Sequence, residues 1–133
     1  MAIQGYITSA TGHIKHLEMA VDLRLSLRDW DRVRPFAVVV SESLSSLAKA
    51  SRVFDHVHVI SDAAGRGYGG KLLTADGSPY SQTLFFDADC LAVGPIEPLW
   101  QHLQHLDFCV PGAYVGADHR AHHHNHEISR LCA

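Results

Sequence analysis

The sequence predicts an α/β fold in which a mostly parallel sheet is flanked by helices. Short runs rich in β-branched and other apolar residues alternate with stretches that carry an apolar stripe at helical spacing. Glycines and prolines separate many of these segments. Strands that alternate with helices are typical of βαβ units and of doubly wound sheets. The length of 133 residues allows one domain of this class.

Five apolar runs are predicted as strands: residues 3–8, 36–40, 57–60, 82–86 and 107–110. The run over 36–40 is apolar at every position, which predicts a strand covered on both faces. The remaining runs are shorter or mixed with polar residues, and a brief extended piece is predicted at 91–93. The carboxyl ends of parallel strands lie on one edge of a sheet, and ligands bind there where the strand order reverses.

Four stretches are predicted as helices: residues 13–28, 43–50, 71–75 and 98–106. In the longest of them Leu17, Val21 and Leu25 fall on one stripe, which further leucines widen. Thr11-Gly12 predicts the turn and the cap in front of that helix. The glycine-rich stretch 65–70 predicts a loop that can order over a ligand.

The chain divides at about residue 112. Residues 1–112 are predicted as one α/β domain, and residues 113–133 as a polar loop followed by the start of a helix. The loop contains His122, His123 and His124. The sequence stops inside the last helix, so we interpret the chain as truncated. The apolar stripe of that helix has no partner in the sequence, which leaves a homo-oligomer open.

Composition excludes several classes of protein. The hydrophobic content of 47% supplies a core, which argues against a disordered chain. A formal net charge of −3 gives no general attraction to nucleic acid, and no apolar run is long enough to span a membrane. Cys90, Cys109 and Cys132 form no CxxC pair, and no signal peptide is recognisable. We therefore expect a cytoplasmic protein.

The strongest chemical signal is Asp87-Ala88-Asp89, directly after an apolar strand. Two carboxylates two residues apart can approach one divalent cation, which Mg²⁺ and Mn²⁺ sites commonly share with phosphate oxygens. Such a cation neutralises a diphosphate and makes it a better leaving group. The alternative is that Asp87 caps a turn and Asp89 is only solvated.

The second signal is Lys71, which follows the glycine-rich stretch and precedes Asp87 by sixteen positions. A lysine there can place a positive charge on a phosphate group. Residues 65–71 also fit the GxxxxGK part of a P-loop, but Leu72 stands where a serine or threonine would hold Mg²⁺. An ordinary surface lysine is the alternative interpretation.

Lys71-Leu72, Tyr80 and the run TLFFDADCL at residues 83–91 resemble the donor-site block of glycogenin-like and galactinol-synthase-like glycosyltransferases. The opening GYIT before an apolar helix, and the segment PIEPLW at 95–100, are also similar to that family. The resemblance covers residues 3–112, which is the front half of such an enzyme. It implies a Rossmann-like GT-A fold.

The resemblance also implies an activity, the transfer of a sugar from a nucleotide-diphosphate sugar, commonly a UDP-sugar, to an acceptor that the sequence does not identify. Asp87 and Asp89 would bind Mn²⁺ (or Mg²⁺) together with the donor diphosphate. Lys71 would lie near the diphosphate or the sugar, and Asp89 and Lys71 would be the catalytic residues. The remaining donor contacts implied by the family come from Thr8, Ser9, Ala10 and Ala88. Tyr80 is predicted to be a packing residue.

Two alternative functions remain at the level of sequence. The family takes a third metal ligand, a histidine, from a later segment, and nothing after Val110 resembles that segment. The candidate substitutes for that ligand are His122, His123, His124 and His126. A non-catalytic fragment that binds nucleotide sugars is one alternative, and it follows from the truncation. A phosphatase of the haloacid-dehalogenase type is the other, but Leu91 departs from its motif and no lysine follows Asp89.

Overall fold

The computed structural model describes residues 3–104, and it shows an α/β fold with an all-parallel sheet. Four strands pair in the order β3-β2-β1-β4, where β1 is Gln4–Ala10, β2 Phe36–Ser41, β3 His56–Ile60 and β4 Gln82–Phe85. The helices are α1 Ile14–Arg28, α2 Ser45–Ser51, α3 Gly69–Leu72, α4 Thr74–Gly77 and α5 Glu97–His102. The predicted fold class, a parallel sheet flanked by helices, is confirmed.

Strand β2 lies inside the sheet and is covered on both faces. All six of its residues are buried, as the uninterrupted apolar run predicts. It pairs with β1 on one side and with β3 on the other, both in parallel register. The edge strand β3 is largely exposed, with only Val57 and Ile60 half-buried.

One face of the sheet forms a core with α1 and α2. Alternate residues of β1 and β2 point to this face, and they pack against apolar side chains of the helices and of the turn before α2. The buried members of the cluster are Ala10, Leu17, Ala20, Val38, Val40, Leu44 and Ala48. The spacing of Leu17 and Ala20 in α1 follows from the helical period, so the predicted apolar stripe faces the sheet.

The other face of the sheet packs against Tyr80. Its ring joins Ile7, Ala37 and Val39 in a second buried cluster. The hydroxyl of Tyr80 is buried without a hydrogen-bond partner among the described residues, and burial raises its pKa to about 12. These contacts agree with the packing role that the sequence predicts for this tyrosine.

Gly5 allows the Tyr80 ring to lie directly on the backbone of β1, because a Cβ at this position would overlap the ring. We expect Gly5→Ala to lower the free energy of unfolding by about 1–3 kcal/mol, the usual cost of overpacking a core. Gly94→Ala is the control, since nothing lies within 4 Å of the Cβ that it adds. Urea unfolding measures both variants, and equal stability of the two would contradict this packing.

Several predicted boundaries differ from the structure. Strand β1 runs to Ala10 rather than residue 8, because its parallel pairing continues opposite Val38 to Val40. Helix α1 is capped by His13 rather than by Thr11-Gly12. The Nδ1 atom of His13 accepts a hydrogen bond from the Lys15 N–H at 3.1 Å.

The helix predicted at 71–75 consists of α3 and α4, which begin earlier, at Gly69. Residues 91–93 belong to no strand. The strand predicted at 107–110 and the whole segment 113–133 lie outside the described residues. Among those described, no helix is long and apolar enough to cross a membrane.

Candidate functional site

The topology itself marks a binding place at the carboxyl ends of β1 and β4. From β1 the sheet extends through β2 to β3 on one side and to β4 on the other. The strand order therefore reverses at β1, and the crevice between β1 and β4 is a topological switch point. Ligands of open parallel sheets bind in such crevices, beyond the carboxyl ends of the strands.

A cleft of about 590 Å³ occupies this switch point. Its walls come from the end of β1, the start of α1, the glycine-rich loop, α3 and the segment that follows β4. The polar and charged side chains of the lining include Ser9, His16, Arg66, Lys71, Asp87 and Asp89. The cleft therefore offers hard oxygen ligands and positive charges within one crevice, which suits a cation and an anion bound together.

A second cleft of about 610 Å³ lies at the amino edge of the sheet. It is lined by Gln4, the first residue of β1, and by Pro35, which precedes β2. Three of its four described charged groups are engaged with one another, since Arg34 donates to both Asp31 and Glu97 at 2.8 Å. The fourth, Arg32, donates to the Arg28 carbonyl at 3.3 Å. None of the predicted donor-site residues lines it. The cleft at the carboxyl edge is therefore the candidate site.

The structure brings five of the seven predicted site residues into this cleft, namely Ser9, Lys71, Asp87, Ala88 and Asp89. The other two do not line it. Thr8 and Ala10 have no exposed surface, since both are within β1 and Ala10 belongs to the core under α1. Strand β1 continues two residues beyond its predicted end at residue 8, and Ser9 is the accessible residue of the three.

Lys71 and Asp87 form an ion pair inside the cleft. The Nζ atom of Lys71 lies 2.5 Å from Oδ1 of Asp87, and the two side chains are 45% and 44% exposed. Lys71 also stands 5.8 Å from the centre of the Tyr68 ring. The short contact with the Asp87 carboxylate raises the pKa of the ammonium group, so Lys71 stays protonated at neutral pH.

The glycine-rich loop places Lys71 by packing closely on Thr11. The Thr11 hydroxyl donates to the Gly65 carbonyl at 2.9 Å. A Cβ at Gly65 or at Gly70 would lie 3.0 or 2.9 Å from Thr11 side-chain atoms. Gly67 adopts a left-handed conformation with φ 59°, which favours glycine. Because these positions are glycines, the loop can pack against Thr11, which is the first residue after β1.

Asp87 and Asp89 fit a hard divalent cation by the chemistry of their oxygen atoms. Among residues 3–104 no group of three or more His, Cys, Asp or Glu side chains is arranged to hold a metal. A cation at the pair would therefore take its remaining ligands from water and from substrate oxygens, as Mg²⁺ does at phosphate sites. The predicted substitutes His122 to His124 and His126 lie outside the described residues.

Cys90 follows the pair directly, and its chemistry argues against a nucleophilic role. Its thiol is free. Partial burial and the charges of Asp89 and Asp87 raise its pKa, which lowers the thiolate fraction at neutral pH.

Seven of the described lining residues were not among the predicted site residues, and two of them, Arg66 and His16, carry basic side chains. Arg66 lies between Gly65 and Gly67, and the glycines of this stretch predict a loop but no role for the arginine. His16 lies in the first turn of α1, and its Nδ1 is 2.6 Å from the Thr11 carbonyl oxygen. The signal for both is positional, because each follows a strand at the carboxyl edge of the sheet.

No protein-family model matches the chain, and no curated protein gives a significant match. The functional argument therefore rests on the fold and on the geometry of the cleft.

Proposed function

We propose that the cleft binds a nucleotide-diphosphate sugar through a divalent cation held by Asp87 and Asp89, and that it is the donor site of a GT-A glycosyltransferase. The observation that supports this best is the convergence of both carboxylates with Lys71 and Ser9 at the switch point between β1 and β4. The sequence resemblance to glycogenin-like enzymes selects the nucleotide sugar among phosphate ligands.

In the proposed reaction the nucleoside diphosphate is the leaving group, and it departs with additional negative charge that the site must stabilise. When bound, Mn²⁺ or Mg²⁺ neutralises the diphosphate and lowers the basicity of the departing oxygen. Lys71 provides a further positive charge on the same side of the cleft. The bond between the anomeric carbon and the diphosphate oxygen breaks, and its electron pair leaves with the diphosphate. The acceptor hydroxyl oxygen bonds to the anomeric carbon, and its proton passes to the departing diphosphate.

A non-catalytic binding site is the second candidate. It is favoured by the observation that the described part of the chain supplies two carboxylates and no third metal ligand. The two candidates share the donor site and differ only in turnover. The UDP-sugar, the unknown acceptor, a homo-oligomer and the cytoplasmic location stay predictions.

Calorimetric titration with UDP tests the proposal. We expect saturable heat with Mn²⁺ present and at least tenfold weaker binding when EDTA replaces the metal. UMP, which lacks the diphosphate, is the control ligand and should bind at least tenfold more weakly than UDP. Equal UDP binding with and without metal, or no UDP binding at all, would contradict the proposal. Release of phosphate from p-nitrophenyl phosphate would favour the phosphatase alternative.

A further inference from the structure

One oxygen of the proposed metal site is already in contact with a positive charge. Oδ1 of Asp87 lies 2.5 Å from Nζ of Lys71, at hydrogen-bonding distance. A divalent cation that coordinates the same oxygen would lie at about 2.0–2.2 Å from it. The ammonium group and the cation would repel each other at such a separation, so the two compete for this oxygen.

We propose that Lys71 is an intrinsic counter-ion of Asp87 that competes with a divalent cation for this carboxylate, and that this competition makes the cation and the nucleotide diphosphate bind cooperatively. The inference rests on the proposed function, because it assumes that the two ligands share the cleft. The inference gives Lys71 a second role, which is to neutralise Asp87 before the donor is bound.

The surroundings of Lys71 allow the exchange. Its side chain is half-exposed, at the end of the short helix α3 and on a flexible four-carbon stem. Besides Asp87, its described contact is the weak one to the Tyr68 ring at 5.8 Å. The ammonium group can therefore leave the carboxylate without disturbing the core.

A diphosphate in the cleft gives the displaced ammonium group a new partner. Lys71 and Asp87 both line the cleft, so the move is short. Without nucleotide the cation competes with Lys71, whereas with nucleotide the phosphate holds Lys71 away from Asp87. Thermodynamic linkage then requires that the cation raise the affinity for the nucleotide by the same factor.

Mn²⁺ binding without nucleotide tests the first half of the proposal. Electron paramagnetic resonance of free Mn²⁺ measures binding to the unmodified chain and to Lys71→Met, which keeps the length of the side chain and removes its charge. We expect Lys71→Met to bind Mn²⁺ about three- to tenfold more tightly. Lys49→Met, on the exposed surface of α2, is the matched control and should leave the affinity unchanged. Binding that persists when Asp87 and Asp89 are both replaced by Asn is outside the site and is subtracted.

The same titrations with UDP present test the second half. We expect the factor by which UDP raises the Mn²⁺ affinity to be at least threefold smaller in Lys71→Met than in the unmodified chain. Lys71→Arg, which keeps the charge, should retain the larger factor. If Lys71→Met does not fold, as judged by circular dichroism, Lys71→Gln replaces it.

The outcomes separate the two proposals. Unchanged or weaker Mn²⁺ binding in the folded Lys71→Met or Lys71→Gln variant, with metal-dependent UDP binding in the unmodified chain, would overturn the counter-ion role alone. An unchanged coupling factor in that variant would do the same. Absence of metal-dependent UDP binding in the unmodified chain would overturn the proposed function, and the inference with it.

Discussion

Asp89→Asn is expected to weaken the binding of UDP in the presence of Mn²⁺ by roughly a hundredfold. The substitution keeps the shape of the side chain and removes the charge of a residue that lines the cleft and is exposed to solvent. A metal contact of about 3 kcal/mol corresponds to a factor of this size. Because Asp89 is exposed, the variant should fold normally, so lost stability would not explain lost binding.

Calorimetric titration measures this effect, and Asp22→Asn provides the control. Asp22 is an exposed residue of α1 that does not line the cleft, so the control has the same change in net charge. UDP binding should be unchanged in Asp22→Asn. Retention of full Mn²⁺-dependent affinity in Asp89→Asn would show that the second carboxylate is only solvated, which is the alternative that the sequence leaves open.

Asp31→Asn is expected to lower the free energy of unfolding at pH 7 by about 2–4 kcal/mol. Asp31 is buried at the amino edge of the sheet, where it accepts hydrogen bonds from the Tyr6 hydroxyl at 2.6 Å and from the Arg34 guanidinium at 2.8 Å. Its other oxygen accepts the backbone N–H groups of Val33 and Arg34. An amide cannot accept all of these bonds and carries no charge to balance Arg34.

The stability of the fold should depend on pH through the same carboxylate. Burial alone would raise the pKa of Asp31, but the hydrogen bonds from Tyr6 and Arg34 outweigh it and lower the pKa to about 2. The unfolded chain therefore binds this proton more tightly than the folded one. The stabilisation is present above about pH 4 and is lost as the pH falls towards 2, about 2 kcal/mol in total.

Urea unfolding between pH 7 and pH 2 measures both effects, with Glu97→Gln as the control. Glu97 also pairs with Arg34 at 2.8 Å, but its side chain is 59% exposed, so its loss should cost less than about 1 kcal/mol. The stability difference between the unmodified chain and Asp31→Asn should shrink below pH 4. A difference that stays constant down to pH 2 would contradict the assigned role of the Asp31 carboxylate.

The parts of the fold that the sequence predicts well are those with strong periodicity. The uninterrupted run of β2 and the apolar stripe of α1 both follow from burial, which leaves few choices of residue. Edges and short elements were less predictable. The split of the segment after the glycines into α3 and α4 depends on tertiary packing, such as that of Gly77 against His58, which no local pattern contains.

The candidate site divides in a similar way. Asp87 and Asp89 were predictable because a motif at the end of a strand has a fixed position relative to the sheet edge. Thr8, which the resemblance implies as a donor contact, does not line the cleft, because β1 continues two residues beyond it and its side chain is fully buried. The sequence alone does not show where the pairing of β1 with β2 ends. Arg66 reaches the cleft through the shape of a loop, which depends on contacts with Thr11 that are distant in sequence.

The central claim is that Asp87 and Asp89 share one divalent cation with a nucleotide diphosphate. The most direct measurement is a crystal structure of the chain grown with Mn²⁺ and UDP, with anomalous difference density recorded for manganese. The account predicts one anomalous peak between the two carboxylates, with diphosphate oxygens bound to the same ion and Lys71 moved away from Asp87. UDP in the cleft with no manganese at the pair, or manganese bound only elsewhere, would contradict it.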